Sequence, residues 1–433
     1  MGSNTNGADT DGPLKVVIVG AGLGGLACGI ACRRQGFDVT IYDQVKEFLR
    51  IGDSIGFGSN SSRLLHRWGI GKKMETIASS STGIDIYSFN DSNTCLGHDN
   101  NAEQVEKKTS YRSIIGHRGD FHLMLRDFCE QSGARIFNGS KVVGYDTAKT
   151  SLTLESGEEV SADVIICADG GKSQSRQLAI GVDNMPLASG YAVYRGFMDA
   201  DLIRDDPIAG KFAEPFDRIR LFLGPDMHGF ITTLRDGKEI NAVLTHKDSE
   251  DIDEAWTKEG KKEEILALLD GWDPAFKRVW ELFPFCLDWK LVYRPCLDKW
   301  VSDSGRIALM GDACHPFLPT SVQGASQAIE DGATIAKCLA KVRKDEIPVA
   351  LETYFSIRHD YVAAAQKTGI AQRDSYHNSH DSNAIKEDVK IDSLFLANMH
   401  LWENDAEKVV DEKWGEISAQ VRKQFKEKQA ASA

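Results

Sequence analysis

Apolar residues along this chain fall into two textures. In the first, short and largely apolar runs each end in a glycine or acidic turn: Val16–Val19 before Gly20, Ala162–Ala168 before Asp169-Gly170, and Arg306–Met310 before Gly311-Asp312. Unbroken runs of this length, bounded by turn residues, read as strands buried on both faces, as in a helix-covered parallel sheet. In the second, Tyr191–Met198, Arg218–Leu223, Gly229–Leu234, Ile240–His246 and Leu287–Arg294 alternate as half-buried antiparallel strands do. Helical patterns run near Ser61–Trp68, over 119–132, over 262–282, from about Val322 to Val342, and through most of 347–430. Short strands are predicted at Ala134–Phe137, Val142–Asp146 and Ser151–Leu154, an irregular glycine-rich stretch at Arg50–Asn60, and an exposed loop in the polar insertion Asp91–Lys108. A nucleotide fold is therefore interrupted by a sheet domain, and the chain then returns to it.

The most telling stretch is residues 14–43, where a strand, Gly20-Ala21-Gly22-Leu23-Gly24-Gly25, a helix and a second strand ending at Asp43 follow one another. In such a unit Gly20 permits the tight turn, Gly22 lets the backbone approach a pyrophosphate, and Gly25 lets the helix lie close to the strand. The helix N-terminus offers free N–H groups and a partial positive charge to that pyrophosphate. Asp43 stands where a carboxylate accepts hydrogen bonds from a ribose diol.

The net charge of −13 argues against nucleic acid, which needs a basic face. No apolar run approaches 18 residues, and Met1–Gly12 is polar, so neither a membrane span nor a secretion signal is expected. The nine cysteines include no CxxC pair, which suits a reducing cytoplasm. Cys28 and Cys32, four apart on the first predicted helix, read as small packing residues, as does Cys314; no metal cluster is evident.

The GxGxxG segment, the segment ADVIICADGGKSQSR at 162–176, and GRIALMGDACHPFLPTSVQGASQAIEDG at 305–332 resemble, in order and spacing, those of single-component FAD-dependent aromatic hydroxylases, most closely the fungal salicylate-hydroxylase-like group. The likeness covers nearly the whole chain, including Tyr354 to Arg358 and the tail from Leu401 to Glu407. It implies an α/β fold: a GxGxxG-type FAD-binding Rossmann-like domain interrupted by a mixed or antiparallel β-sheet substrate domain, with a helical C-terminal region. The corresponding segments are a disordered leader at 1–12, the FAD-binding domain at 13–184 and 296–345, the β-rich substrate domain at 185–295, and the helical region at 346–433. The resemblance assigns Gly20, Gly22, Gly25, Asp43, Arg118, Asp169, Gly311, Asp312, Gly324 and Ala325 to FAD, and sets Pro319 beside the site where the flavin C4a atom meets oxygen. Asp43 stands where the family more often has Glu. A helix beginning near Val322 points its positive end at the flavin pyrimidine, which is anionic when reduced. For Asp169 and Arg118 a helix cap and a surface ion pair remain the alternatives.

The implied activity is consumption of NADPH or NADH, reaction of the reduced flavin with molecular oxygen, and transfer of one oxygen atom from a C4a-hydroperoxide to a small electron-rich aromatic, an indole or a phenol. Only one dinucleotide fingerprint is present, so the nicotinamide nucleotide is expected to bind transiently. Arg195, in Tyr194-Arg195-Gly196, matches an arginine able to enter the substrate pocket; a surface ion pair is its other reading. Residues 50–55 depart from the family pattern. Arg50 replaces an acid, and Asp53 places a carboxylate in an apolar neighbourhood, where it needs a partner or a raised pKa. A similar Gly-Asp-Ser occurs in flavin oxidases of prenylated indole alkaloids, where an acid and an arginine open an indole epoxide and steer a semipinacol shift. Asp53 with Arg195 is the corresponding pair here; the alternative is that Asp53 only contacts FAD or Arg50. A flavin-linked reductase without oxygen transfer and a non-catalytic flavin binder are the competing functions, and monomer and homodimer both stay open.

Overall fold

The computed structural model describes residues 12–50, 52–81, 83–182, 185–248, 258–378 and 399–432. The leader expected at 1–12 lies outside these residues except for Gly12, as does 379–398 of the expected helical tail.

The first texture forms a parallel sheet in the order Ile307–Leu309, Val164–Cys167, Lys15–Val19, Asp38–Tyr42, Arg135–Phe137. Its central strands are buried on both faces, which is why their sequences lack alternation. Because three of these strands are neighbours, the turns following Val19, Cys167 and Leu309 emerge side by side at the carboxyl edge, where open α/β sheets bind their ligands. The helix Leu23–Arg34 covers one face and packs on the helix Gly324–Leu339, so closely that a Cβ on Gly332 would lie 2.8 Å from Cys28 Cα. Cys28 and Cys32 are buried and unbridged there.

The second texture forms an eight-stranded sheet in the order Lys258–Glu259, Cys286–Tyr293, Leu187–Asp199, Glu239–Lys247, Met227–Leu234, Arg218–Gly224, Ile84–Ser88, Asp91–Asp99. One face buries Tyr194, Phe222 and Leu244 against the helices Lys262–Leu268 and Pro274–Leu282. The opposite face carries Val193, Arg195, Val243 and Leu291, and meets Leu318 and Ile370 of the nucleotide-binding half.

Several expectations need correction. The exposed loop at Asp91–Lys108 is instead the strand Asp91–Asp99 and the helix Asn101–Thr109. The stretch has distant partners: Asp273 accepts the Ser92 backbone N–H at 3.0 Å, and Ser92, Asp99 and Asn101 are buried. With Ile84–Ser88, this strand extends the large sheet beyond residues 185–295. The stretch Arg50–Asn60 contains the strand Ser54–Phe57, paired with Ile114–His117. The helical span 262–282 breaks because Asp273 caps a new helix whose first residue is Pro274. Among the described residues no helix is long and apolar enough to cross a membrane.

The helix Ile347–Asn378 ties the halves together. Its start buries Leu351 and Tyr354 in the first core, and its end sets Tyr376 against Leu221 and Leu223 of the sheet. There His377 Nε2 lies 2.8 Å from His228 Nδ1. Burial pushes both imidazoles below their ordinary pKa, helped by Arg373 and, for His228, by His377; His377 is pushed down to about 4. The unfolded chain therefore binds more protons, so the stability this pair gives is complete above pH 6.5 and lost as pH falls towards 4. Urea titrations should show wild type losing roughly 2–3 kcal/mol more than His377→Gln over that window. Equal pH dependence in the two proteins would refute it.

Candidate functional site

The glycine turn has the geometry of a cradle. Gly20 adopts φ +103, and a Cβ there would lie 2.4 Å from the Ala168 carbonyl oxygen. A Cβ on Gly25 would come within 2.0 Å of the Gly20 oxygen, so the helix can approach the strand only without a side chain. At Gly22 nothing lies within 4 Å of a Cβ, and no side chain caps the helix that follows. Its first N–H groups and positive end are left open. Asp43 closes the turn: Oδ2 accepts the Ala21 N–H at 2.6 Å and Oδ1 the Val45 N–H at 2.7 Å. His122 Nε2, 2.7 Å from the Ala21 oxygen, holds the other side.

Arg176 joins the other two turns. Its guanidinium, buried at 4% exposure, reaches the carbonyls of Gly171 at 2.6 Å, Ala313 at 2.6 Å and Asp312 at 2.9 Å. Asp169 uses Oδ2 on the N–H and hydroxyl of Ser175, at 3.1 and 2.8 Å, which is the capping role; its Oδ1 is buried without a partner. Gly311 adopts φ +59, and its N–H is accepted by Asp331 Oδ2 at 2.9 Å. The carboxylate of Asp312 has no hydrogen bond among the described residues. Burial raises its pKa against the pull of His315, Arg176 and Arg118. Arg118 begins the helix Arg118–Gln131, is exposed, and has no side-chain partner among the described residues.

Behind these turns lies a buried ionic network of which the sequence motifs single out only Arg358. Asp331 is shared by Gly311, by His315 Nε2 at 2.6 Å and by Arg358 Nε at 2.8 Å. Glu330 takes Arg358 Nη1 at 2.7 Å, Asn60 at 3.0 Å and Asn404 at 2.9 Å. The available signal was adjacent acids, Glu330-Asp331, inside a helix otherwise composed to be buried.

Asp53 and Arg195 meet: Asp53 Oδ2 lies 2.5 Å from Arg195 Nη1. Arg195 also stacks over the Trp289 ring, 4.1 Å from its centroid, and its Nε is buried with no hydrogen-bond partner. Burial lowers the Arg195 pKa, and Asp53 opposes that shift. Arg50 does not pair with Asp53; it bridges Asp120 at 2.7 Å and Glu239 at 2.8 Å. Ser54 donates to Asn241 at 2.8 Å. Arg50, Asp53 and Ser54 are thus fastened to the large sheet at Glu239, Arg195 and Asn241. Trp289 was visible in the sequence as part of the β-rich segment, but only strand pairing puts it under Arg195.

Pro319 starts a short 3-10 turn and is exposed, beside the buried Leu318. The helix Gly324–Leu339 follows with no side-chain cap, so the N–H groups of Gly324 and Ala325 are open. The donor set fits FAD: an open helix end at Gly22 and the unpaired Arg118 suit the pyrophosphate, and the unpartnered Asp312 suits a hydroxyl.

The sequence profile of the FAD binding domain matches residues 13–368. The chain is 30% identical over 370 residues to the FAD-dependent monooxygenase OpS4 of Beauveria bassiana, covering 84% of this chain and 86% of that one. It is 28% identical over 382 residues to the asperlicin C monooxygenase of Petromyces alliaceus, covering 82% and 79%. The crystal structure of CtdE in complex with FAD and substrate 4 superposes with a TM-score of 0.85 at 24% identity, over 94% of this chain and all of that one, 100%. At that identity the likeness speaks to the fold.

Proposed function

We propose that this chain, which belongs to the FAD binding domain family and is an FAD-dependent monooxygenase, oxygenates an electron-rich aromatic small molecule of the indole or phenol type in fungal secondary metabolism, with NADPH or NADH as electron donor. Bound FAD, reduced by the nicotinamide, supplies the activation of molecular oxygen. The balance is substrate + O2 + NADPH + H+ → oxygenated substrate + NADP+ + H2O.

The observation that carries the substrate class is Arg195. Its cation is held by Asp53 and Trp289, while its buried Nε–H is left to a ligand acceptor. Such a donor suits a phenolate, a carbonyl or an epoxide oxygen. Val193, Val243 and Leu291 on the same face, packed on Leu318 and Ile370, give the surroundings of Arg195 an apolar character that suits an aromatic ring. For an indole substrate, Arg195 donates to the oxygen of a 2,3-epoxide and Asp53 orients the guanidinium. The C–O bond opens, a ring substituent migrates with its electron pair, and the oxygen becomes a carbonyl, a semipinacol shift that consumes no reductant.

With an indole substrate and labelled O2, wild type should oxidise NADPH and place one labelled atom in a rearranged product. Asp53→Asn should keep its flavin and lower the rearranged product by about 100-fold. An unchanged product distribution would remove Asp53 from the chemistry, and failure of indoles and phenols alike to stimulate NADPH oxidation would overturn the substrate class.

A further inference from the structure

Val322 is built in a conformation that its side chain resists. It has φ +51 and ψ +24, in the left-handed region. The other non-glycine residues with positive φ among the described residues are Ser110, Thr150, Asp226, Arg235 and Asp236. Ser110 closes a helix, and the rest turn β-hairpins. Val322 is the aliphatic one, and branching at Cβ makes the left-handed well costly for it where glycine enters freely. Burial does not compensate, because Val322 is 50% exposed. Strain of this kind persists where the surroundings impose it, and it gathers at functional sites.

The neighbours locate the isopropyl group. Its Cγ1 lies 3.0 Å from where a Cβ of Gly56 would be, so the missing side chain of Gly56 makes room for it. It is therefore seated across the backbone of Ser54–Phe57, the strand that directly follows Asp53. On its other side the chain enters the open first turn of Gly324–Leu339, and its own N–H is tied to the Pro319 oxygen at 3.0 Å. A strained aliphatic group thus stands between Pro319, the Asp53 strand and the uncapped helix end.

We infer that Val322 is a water-excluding wall of the flavin site, its left-handed backbone directing two methyl groups over Gly56 where water would otherwise reach the reacting centre. The inference rests on the monooxygenase reading. Excluding water suppresses the wasteful reaction NADPH + H+ + O2 → NADP+ + H2O2.

Two variants separate side chain from backbone. Val322→Gly loses the isopropyl group and the strain; Val322→Ala loses the isopropyl group and keeps the left-handed cost. Both should raise hydrogen peroxide released per NADPH by roughly twofold or more, with greater quenching of bound-flavin fluorescence by iodide, since both open the wall to water. The flavin-free Gly variant should unfold within about 2 °C of wild type, as strain relief offsets glycine's entropy, and the Ala variant no higher. Unchanged peroxide yield and unchanged quenching in a yellow, fully loaded variant would overturn the inference. So would a peroxide increase confined to the Gly variant, which would assign the effect to the backbone. A wild-type protein that binds no flavin would instead sink the reading beneath it.

Discussion

Arg358→Met is expected to cost the fold on the order of 3–5 kcal/mol, because removing one partner of a buried ion group leaves the others uncompensated. Arg358 is 2% exposed, and Glu330 and Asp331 are 0% exposed. Burial works against its charge, yet the two carboxylates more than reverse this and raise its pKa. Without the guanidinium, Asp331 keeps the His315 imidazole and the Gly311 N–H, and Glu330 keeps neutral amides. The damage should not stop at stability. Asp331 also holds the Gly311 N–H, so the turn presenting Asp312 loosens, and flavin should be lost during purification. Urea unfolding and the flavin-to-protein ratio measure both effects. An Arg358→Met variant within about 1 kcal/mol of wild type would show that the network adds little.

Gly25→Ala and Gly22→Ala should both yield colourless protein, for opposite reasons. At Gly25 the new methyl would lie 2.0 Å from the Gly20 oxygen and 3.4 Å from Ala168 Cβ, so helix and strand must part. Overpacking of this severity is expected to cost roughly 3 kcal/mol or more, visible as a lowered unfolding midpoint. At Gly22 the methyl meets no protein atom, so stability should hold. It stands in front of the open helix N–H groups, and flavin affinity should fall at least about tenfold. Yellow Gly22→Ala protein with wild-type affinity would mean that the pyrophosphate does not pass there.

The parallel strands and the glycine cradle were legible because their signals are local. A buried run, a turn residue and a helix start all fall within a few positions, as from Val16 to Leu26. The alternating strands from Tyr191 to Arg294 were legible for the same reason. What escaped was decided by distant partners. Asp91–Lys108 reads as a polar loop until Asp273 is seen holding Ser92, a contact no window contains. Arg176 looked like a residue after a turn, and only the adjacency of Val164–Cys167 and Ile307–Leu309 shows that it fastens two turns at once. Glu330 and Asp331 were hidden because a polar residue in a buried helix has no periodic signature, and His315 because it lies in an irregular stretch between elements. Asp53 and Arg195 were paired already by the family resemblance, but the 2.5 Å contact itself depends on the sheet folding over the loop.

The fastening of Arg50, Asp53 and Ser54 to Glu239, Arg195 and Asn241 also governs how this protein can be re-engineered. The segment that carries Asp53 and the strands that carry Arg195, Glu239 and Asn241 lie far apart in the sequence but form one mechanical part. A chimera that imports a foreign sheet and leaves the native loop behind inherits an orphaned carboxylate at Asp53 and an Arg50 left with Asp120 alone, whereas one that transplants both pieces keeps the joint whole. Substrate range in this scaffold is therefore transferable only as a matched pair.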